Sequence, residues 1–357
     1  MKKKISIRDI AADLGVAIST VSAVLNGKTE ERRISDAMRD RVLEHAKKCG
    51  YQPNLIAQSL RTGKSKILAM LVEDIADPFF AGIARLVETN PALHDYKLFY
   101  SSTENDPQKA KSLIKAFRDR LVDGFIIAPP PGTQAEIQTL LADQVPMVLF
   151  DRYLPEIQTN LVCVDNYKGT HEATESLIKG GYKNIAFVTL SSQQSQMVDR
   201  LAGYQKAIED HHYAPCLLEI AYTLSEEVLV SQIKYYFQTQ PQIDAVIFAT
   251  NYLALNGLRA LQELGRKIPD QVAVIGFDDN NHFSLLTPSI SAIAQPIEQI
   301  AATIVKLLKK ELREAGNINN HQFNVKEQII LPTTLILRQS CPPRPGSGKA
   351  SKARGKK

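Results

Sequence analysis

The stretch SIRDIAADLGVAISTVSAVLNG, residues 6–27, predicts two short helices joined by a tight turn. Its first half carries an apolar stripe at helical spacing, formed by Ile7, Ile10, Ala11 and Leu14. Ser6 precedes this stripe and Asp9 follows three residues later, which is the pattern of a capping box at a helix start. Gly15 then stands where a glycine commonly ends a helix in the left-handed conformation.

The second helix of this pair turns Val21, Val24 and Leu25 inward. We expect its opposite face to be exposed, and that face carries only short side chains: Ser19, Ser22, Ala23 and Asn26. A third helix is predicted from a capping Ser35 to Gly50, so the three helices form a small bundle. A helix-turn-helix pattern alone is a weak signal, because any compact helical pair with a glycine turn resembles it.

Charge is distributed unevenly along the 357 residues, whose formal net charge is +5. Residues 1–66 carry a net charge of +7, and the tail 339–357 carries six basic residues and no acidic one. The rest of the chain is therefore acidic. Basic ends on an acidic body indicate that the ends meet a polyanion such as DNA, although a disordered solubilising extension also accounts for the tail.

From residue 66 onward, apolar runs alternate with helical patterns. The eight runs are KILAMLVEDI, YKLFYSST, VDGFIIAPP, PMVLFDRY, LVCVDN, NIAFVTL, AVIFATN and VAVIGFDD. Runs of this kind, separated by helices, are typical of parallel strands that are buried on both faces, and they predict an α/β doubly wound body. Several runs end in polar residues, and ligands of open α/β sheets bind beyond the carboxyl ends of the strands. These residues therefore predict a polar pocket.

Taken together, the motifs resemble the LacI/GalR (lactose-repressor/galactose-repressor) family of bacterial transcriptional regulators. The resemblance rests on residues 6–27, on RVLEHAKKCGYQPN (41–54) and on IAQSLRTGKS (56–65), and it continues through the body to LPTTLILR (331–338). It covers residues 5–338, nearly the whole chain. The implied fold is an N-terminal three-helix helix-turn-helix domain with a hinge helix, plus a periplasmic-binding-protein-like α/β core of two doubly wound lobes.

The resemblance implies DNA-contacting residues in two segments. Ile18, Ser19, Thr20, Ser22 and Asn26 match positions that enter the major groove or contact bases and phosphates. Ala23 replaces a longer base-reading side chain, so we expect it to make an apolar contact. In the hinge, Ala57 and Gln58 match residues lying in the minor groove, and Leu60 matches a leucine wedged between base pairs there. An ordinary packing role is the alternative for Ser22, Ala23 and Leu60.

The resemblance also implies a sugar or sugar phosphate as effector, bound between the two lobes. The residues that match this pattern are Phe79, Phe80, Asp151, Arg152, Arg200, Asn251, Asp278 and Gln295. Their chemistry agrees with it, because carboxylates, amides and arginines pair with hydroxyl groups while aromatic rings cover ring carbons. Asp77, followed by Pro78, is expected to cap a helix, and Asp279 is expected to be a solvated loop acid.

We predict the following organisation: a DNA-binding domain at 1–52, a hinge and linker at 53–65, a core at 66–338 and a disordered basic tail at 339–357. Within the core, lobe 1 is expected at about 66–163 and 291–324, and lobe 2 at about 164–290 and 325–338. The expected protein is a homodimeric repressor of sugar-utilisation genes that binds a pseudo-palindromic double-stranded DNA operator. Pro91 interrupts a helix that the family uses at its dimer interface, which disfavours dimerisation through that face.

The sequence disfavours two other classes of function. An α/β enzyme using Asp151, Asp278 or Asp279 as acid or base is disfavoured, because phosphate-loop, dinucleotide and nucleophile-elbow motifs are absent from the sequence. A transport-type binding protein is disfavoured by the basic head and by the lack of an apolar signal core or a transmembrane run. The four scattered cysteines indicate neither a disulfide framework nor a zinc site, which fits a reducing compartment. We therefore expect a cytoplasmic, nucleoid-associated protein. We expect no cofactor and no metal.

Overall fold

The computed structural model describes residues 5–51, 63–222, 225–315 and 326–345. It divides into two units, Met1–Ser65 and Lys66–Lys357, which are considered separately. Within the described residues, no helix combines the length and the apolar character needed to cross a membrane. The predicted hinge helix lies largely outside the described residues.

The first unit is a bundle of three helices, α1 (Ile7–Leu14), α2 (Ile18–Leu25) and α3 (Asp36–Lys48). Both halves of the predicted capping box of α1 are present, and Gly15 ends this helix with a φ of 64°. The hydroxyl group of Ser35 caps α3 as predicted. The small core is formed by Ile10, Ala11, Val21, Val24, Val42 and Ala46.

The second unit contains two sheets of six strands each. Lobe 1 has the strand order β11-β5-β4-β3-β1-β2, and all its neighbouring strands are parallel. Its strands are β1 (Ile67–Val72), β2 (Lys97–Ser102), β3 (Gly124–Ile127), β4 (Met147–Phe150), β5 (Leu161–Val164) and β11 (Gln328–Leu331). Its helices are α4 (Pro78–Glu88), α5 (Pro107–Asp119), α6 (Gln134–Ala142) and α12 (Ile297–Glu314), with a 3-10 turn at Pro91–Leu93.

Lobe 2 repeats this plan with the order β12-β10-β9-β8-β6-β7, although β12 runs antiparallel to β10. Its strands are β6 (Ile185–Leu190), β7 (Cys216–Ile220), β8 (Ala245–Phe248), β9 (Ala273–Phe277), β10 (Ser291–Ala294) and β12 (Thr334–Ile336). Its helices are α7 (Asn166–Lys179), α8 (Ser195–Asp210), α9 (Glu226–Thr239), α10 (Asn251–Glu263) and α11 (Asn281–Leu285).

All eight strands predicted from apolar runs are confirmed. The central strands are buried along almost their whole length, as expected for a sheet covered by helices on both faces. The unpredicted strands β7, β10, β11 and β12 lie at or next to the sheet edges, where short segments of mixed polarity suffice.

The predicted lobe boundaries are wrong in two places. Residues 291–294 form β10 and pair with β9, so they belong to lobe 2 rather than lobe 1. Residues 328–331 form β11 and pair with β5, so they belong to lobe 1 rather than lobe 2. The chain therefore crosses between the lobes three times, after β5, after β10 and after β11. Strands of four residues are too short for their sequence to show which sheet they join.

The predicted start of the disordered tail, at residue 339, is also wrong. Ser340 is fully buried and its hydroxyl group donates a 2.6 Å hydrogen bond to the carbonyl of Val274. Arg344 pairs with Asp244 at 2.9 Å and lies over the ring of Tyr182. Residues 339–345 therefore pack against lobe 2, and the remainder of the tail lies outside the described residues.

Candidate functional sites

Helix α2 presents a narrow exposed strip in the first unit. Ile18 is 50% exposed, and Ser19 and Asn26 are also exposed. Thr20 and Ser22 are half-buried. Exposure of an isoleucine at the first turn of a helix has no packing benefit, so Ile18 is available for an apolar contact with a partner.

Ala23 departs from its prediction, because it is only 8% exposed. Our expectation that it shares an exposed face with Ser19 and Asn26 is wrong. Residue 23 lies at the edge of that face, on the side toward Val24, and it is buried. The short side chain at position 23 therefore serves packing, while Ile18 and Ser19 are exposed.

The two ends of α2 differ in how their polar groups are capped. Ala17, the residue before the helix, makes no side-chain cap hydrogen bond. At the other end, the Asn26 amide donates to the carbonyl of Ser22 at 2.6 Å and lies 3.3 Å from its hydroxyl group. The uncapped first turn leaves backbone N–H groups able to bind an anion. The predicted hinge residues Ala57, Gln58 and Leu60 lie outside the described residues.

In the core, polar groups converge where the strand ends of the two lobes face each other. Six of the eight predicted effector residues line this cleft: Phe79, Phe80, Asp151, Arg152, Arg200 and Asp278. Asn251 and Gln295 contact residues that line it, since the Asn251 amide donates to Asp77 at 3.3 Å and the Gln295 amide donates to Asp278. The cleft encloses a cavity of about 30 Å³.

Lobe 1 contributes a guanidinium group that is fully engaged. Arg152 is 3% exposed, lies 2.9 Å from both Glu73 and Asp151, and donates to the Asn105 amide oxygen at 2.8 Å. Burial opposes its charge, but the two carboxylates prevail and raise the pKa of Arg152. The charge of Arg152 is therefore compensated by carboxylates of its own lobe.

Lobe 2 holds its guanidinium group differently. Arg200 donates to the Asn166 amide oxygen at 2.8 Å and to the carbonyl of Ala249 at 2.7 Å, and its plane lies 3.6 Å from the ring centre of Phe277. Its nearest carboxylate, Asp278, is 3.9 Å away. Burial therefore lowers the pKa of Arg200, and its hydrogen bonds to described residues come from Nε and Nη1.

Asp151 and Asp278 occupy equivalent places, directly after β4 and β9. Both have a φ of +67°, a left-handed conformation that costs an ordinary residue about 1–2 kcal/mol. Asp tolerates it better than most residues, and strain of this kind clusters at functional sites. Burial raises the pKa of Asp278, with Arg200 and Gln295 opposing the shift.

Asp77 caps α4 as predicted and also faces the cleft. Its carboxylate accepts from the backbone of Phe79 at 2.8 Å and from Asn251 across the cleft. Burial and the nearby charge of Asp278 raise the pKa of Asp77 to about 7.

The expectation that Asp279 is a solvated loop acid is wrong, because it binds Arg338 through both carboxylate oxygens at 2.9 and 2.7 Å.

Glu73 is one of the polar strand-end residues that predicted the pocket, and it lines the cleft. Four further lining residues are outside the predicted set: Asp77, Gln194, Gln196 and Tyr252. Glu73 and Tyr252 follow strands and carried a positional signal, since polar ends of strands predicted the pocket. Gln194 and Gln196 precede and begin α8, away from the end of β6, and no sequence pattern distinguishes them. Two further contacts join the lobes, from Gln194 to Asn105 at 2.8 Å and from the Tyr153 backbone to Ser195 at 2.9 Å.

Comparison with known proteins gives these features a family. Residues 6–54 match the model of bacterial regulatory proteins of the lacI family, and residues 174–341 match a periplasmic binding protein-like domain. The chain therefore combines a lacI-family helix-turn-helix domain with a periplasmic-binding-protein-like domain. It is a DNA-binding transcriptional regulator with a helix-turn-helix domain and a periplasmic-binding-protein-like core.

Relatives of this LacI-family regulator match almost end to end. The ribose operon repressor of Halalkalibacterium halodurans is 29% identical over 94% of this chain and 96% of its own length. The structure of the lac repressor dimer bound to operator and the anti-inducer ONPF shares the fold, with a TM-score of 0.80 and 22% identity over 95% of this chain and all of that one.

A third match is the structure of a LacI family transcriptional regulator from Enterococcus faecium with bound ribose. It is 25% identical, with a TM-score of 0.68, and covers 78% of this chain and 100% of that one. These relatives and structural neighbours are transcription regulators rather than enzymes.

Proposed function

We propose that this regulator is a cytoplasmic homodimeric repressor of sugar-utilisation genes. In this proposal it binds a pseudo-palindromic operator, and a sugar held between the lobes of the core controls its affinity for that operator. The convergence of four carboxylates and two guanidinium groups at the facing strand ends of the two lobes carries the proposal. The ribose operon repressor and the ribose-bound regulator among its relatives support a sugar as the effector class.

The charges in the cleft favour a neutral, hydroxyl-rich ligand over a sugar phosphate. Glu73, Asp77, Asp151 and Asp278 supply acceptors, while Arg152 is already neutralised by two of them. A phosphate group would bring further negative charge to a cluster where carboxylates outnumber guanidinium groups. Hydroxyl groups can donate to the carboxylates and accept from Nη2 of Arg200, while the rings of Phe79 and Phe80 cover the carbon face.

Ligand entry requires the lobes to separate. A cavity of about 30 Å³ holds roughly one or two water molecules, far less than a sugar occupies. The contacts from Asn251 to Asp77 and from Gln194 to Asn105 join the two lobes directly. A sugar that replaces these contacts changes the relation of the lobes, and couplings of this kind are worth about 1–3 kcal/mol.

For the DNA side, we propose that Ile18, Ser19, Thr20, Ser22 and Asn26 contact the major groove. The hinge residues Ala57, Gln58 and Leu60 are proposed to enter the minor groove and bend the operator. Since α2 carries no arginine, specificity depends on apolar contacts from Ile18, on hydroxyl contacts and on bending. The burial of Ala23 removes it from the residues proposed to reach bases.

A thermal-shift screen of neutral pentoses, hexoses and disaccharides against their phosphates tests the ligand class. A neutral sugar at 100 times its dissociation constant should add about 2.7 kcal/mol of stability to the core. Stabilisation by phosphates alone would overturn the assignment to neutral sugars. Stabilisation by purines but by no sugar would overturn the sugar proposal.

Ile18→Ala should weaken operator binding by about 1–2 kcal/mol, roughly five- to thirtyfold, because an apolar contact with a base is lost. Fluorescence anisotropy on a pseudo-palindromic operator and on a scrambled duplex measures the change. Leu43→Ala is the matched control, because Leu43 is 44% exposed on α3 of the same unit. Equal losses in the two variants, or equal affinity of the wild type for both duplexes, would contradict the role of α2.

A further inference from the structure

The first unit contains a cluster of three metal-ligating side chains away from α2. Asp13 lies near the end of α1, His45 lies on the last turns of α3, and Cys49 ends α3. The Nε2 atom of His45 is 3.1 Å from Asp13 Oδ2 and 3.3 Å from Cys49 Sγ. All three ligand atoms lie within 4.8 Å of one another. It is the one such group of three found among the described residues.

A single ring nitrogen makes both contacts of this cluster. In either tautomer, Nε2 offers Asp13 and Cys49 only one proton or one lone pair to share. One divalent cation instead accepts a lone pair from all three ligand atoms at once, so it engages each of them fully.

The two distances from His45 are close to those around a tetrahedral ion, and the Asp13 and Cys49 ligand atoms lie within 4.8 Å of each other. Zinc bonds of roughly 2.0–2.3 Å place two ligands of one ion about 3.3–3.7 Å apart. The two contacts of His45, at 3.1 and 3.3 Å, need to open by only a few tenths of an ångström. His45 and Cys49 are four residues apart on one helix face, the spacing that brings two ligands to a single ion.

We propose that Asp13, His45 and Cys49 form a binding site for a zinc-type divalent cation that joins α1 to α3. Asp13 is more than half exposed, which gives the ion a path from solvent and leaves a fourth position for water. Arg41 already fixes these helix ends, since its guanidinium donates to the carbonyl of Leu14 at 3.3 Å. Sequence spacing did not predict the site because Asp13 lies 32 residues before His45.

Titration of the reduced, untagged full-length chain with Co²⁺ tests this site spectroscopically. We expect one Co²⁺ per chain, with visible bands of a tetrahedral ion and a near-ultraviolet thiolate-to-cobalt band, all displaced by one equivalent of Zn²⁺. Cys49→Ser should abolish the thiolate band. Cys216→Ser is the matched control, because Cys216 is a half-buried thiol of the core, and it should leave the spectrum unchanged.

His45→Gln and Asp13→Asn should each weaken metal binding strongly. The loss should exceed the roughly tenfold to hundredfold effect of changing a residue that only hydrogen-bonds to a metal ligand. Asp13 is exposed, so Asp13→Asn keeps the test valid even if changes to α3 impair folding. In the wild type, Zn²⁺ should raise the melting midpoint of the first unit, and it should not do so in Cys49→Ser. Absence of a thiolate band at stoichiometric Co²⁺, or its persistence in Cys49→Ser, would overturn the proposal.

Discussion

The two lobes of the core share one strand order, yet they prepare their sides of the cleft differently. In lobe 1, Arg152 is paired with Glu73 and Asp151 at 2.9 Å. In lobe 2, Arg200 is held by an amide and a backbone carbonyl, with Asp278 only at 3.9 Å. In lobe 1, the guanidinium group of Arg152 is therefore already paired with carboxylates. In lobe 2, the guanidinium group of Arg200 is held in place and can still donate to a ligand. This difference suggests that Arg152 serves the stability of the cleft and Arg200 serves recognition.

The largest expected effect is on stability, in lobe 1. Arg152→Gln leaves the carboxylates of Glu73 and Asp151 buried without their cation, which should lower the free energy of unfolding by about 3–5 kcal/mol. Urea denaturation of the full-length chain measures this. The double variant Glu73→Gln with Arg152→Gln should recover part of the loss. If Arg200→Gln proves as destabilising as Arg152→Gln, the contrast between the lobes is wrong.

The next effect is on effector binding, in lobe 2. Arg200→Lys keeps the charge but loses the planar donor pair and the stacking on Phe277, so sugar affinity should fall by about 2 kcal/mol, roughly thirtyfold. Isothermal titration with the sugar found by thermal shift measures it. Arg338→Lys is the matched control, because Arg338 binds Asp279 outside the cleft lining. Unchanged affinity in Arg200→Lys would remove Arg200 from the site.

The third effect is graded, because it is a pH dependence that belongs to lobe 1. Asp77 precedes α4 and Gln194 holds the equivalent place before α8, but only Asp77 titrates. Its pKa of about 7 lies above the usual value of 3.8, so between these values the folded core binds more protons than the unfolded chain. Asp77 is therefore expected to destabilise the fold increasingly as pH rises through this window, by at most about 1.4 kcal/mol per unit.

Asp77→Asn isolates this contribution, since asparagine caps a helix as well as aspartate does. Thermal unfolding of both proteins between pH 5 and 8 should show the variant gaining stability relative to the wild type as pH rises. A difference that stays constant with pH would mean that the Asp77 carboxylate is ionised throughout the range.

The sequence was most informative where a pattern is local. Apolar runs identified eight strands, and Ser6 with Asp9 identified the start of α1, because burial on both faces and capping depend on neighbouring residues. Polar residues at strand ends likewise identified Asp151, Arg152 and Asp278.

Prediction failed where two interacting residues are far apart in the sequence, or where a residue lies at the edge of a helix face. Glu73 meets Arg152 from 79 residues away, and Asp279 meets Arg338 from 59 residues away, so neither pairing shows in the spacing. Residues 291–294 and 328–331 were given to the wrong lobes because the chain crosses between sheets within a few residues. Ala23 lies at the edge of its helix face, where helical periodicity alone does not separate buried from exposed.

The central claim is that a sugar between the lobes controls operator binding. The most direct test is the operator dissociation constant, measured by anisotropy with and without the sugar that stabilises the core. The proposed coupling predicts a change of about 5- to 150-fold in the wild type. Arg200→Lys should need roughly thirtyfold more sugar for the same change. An unchanged operator dissociation constant at a sugar concentration that saturates the core would contradict the claim.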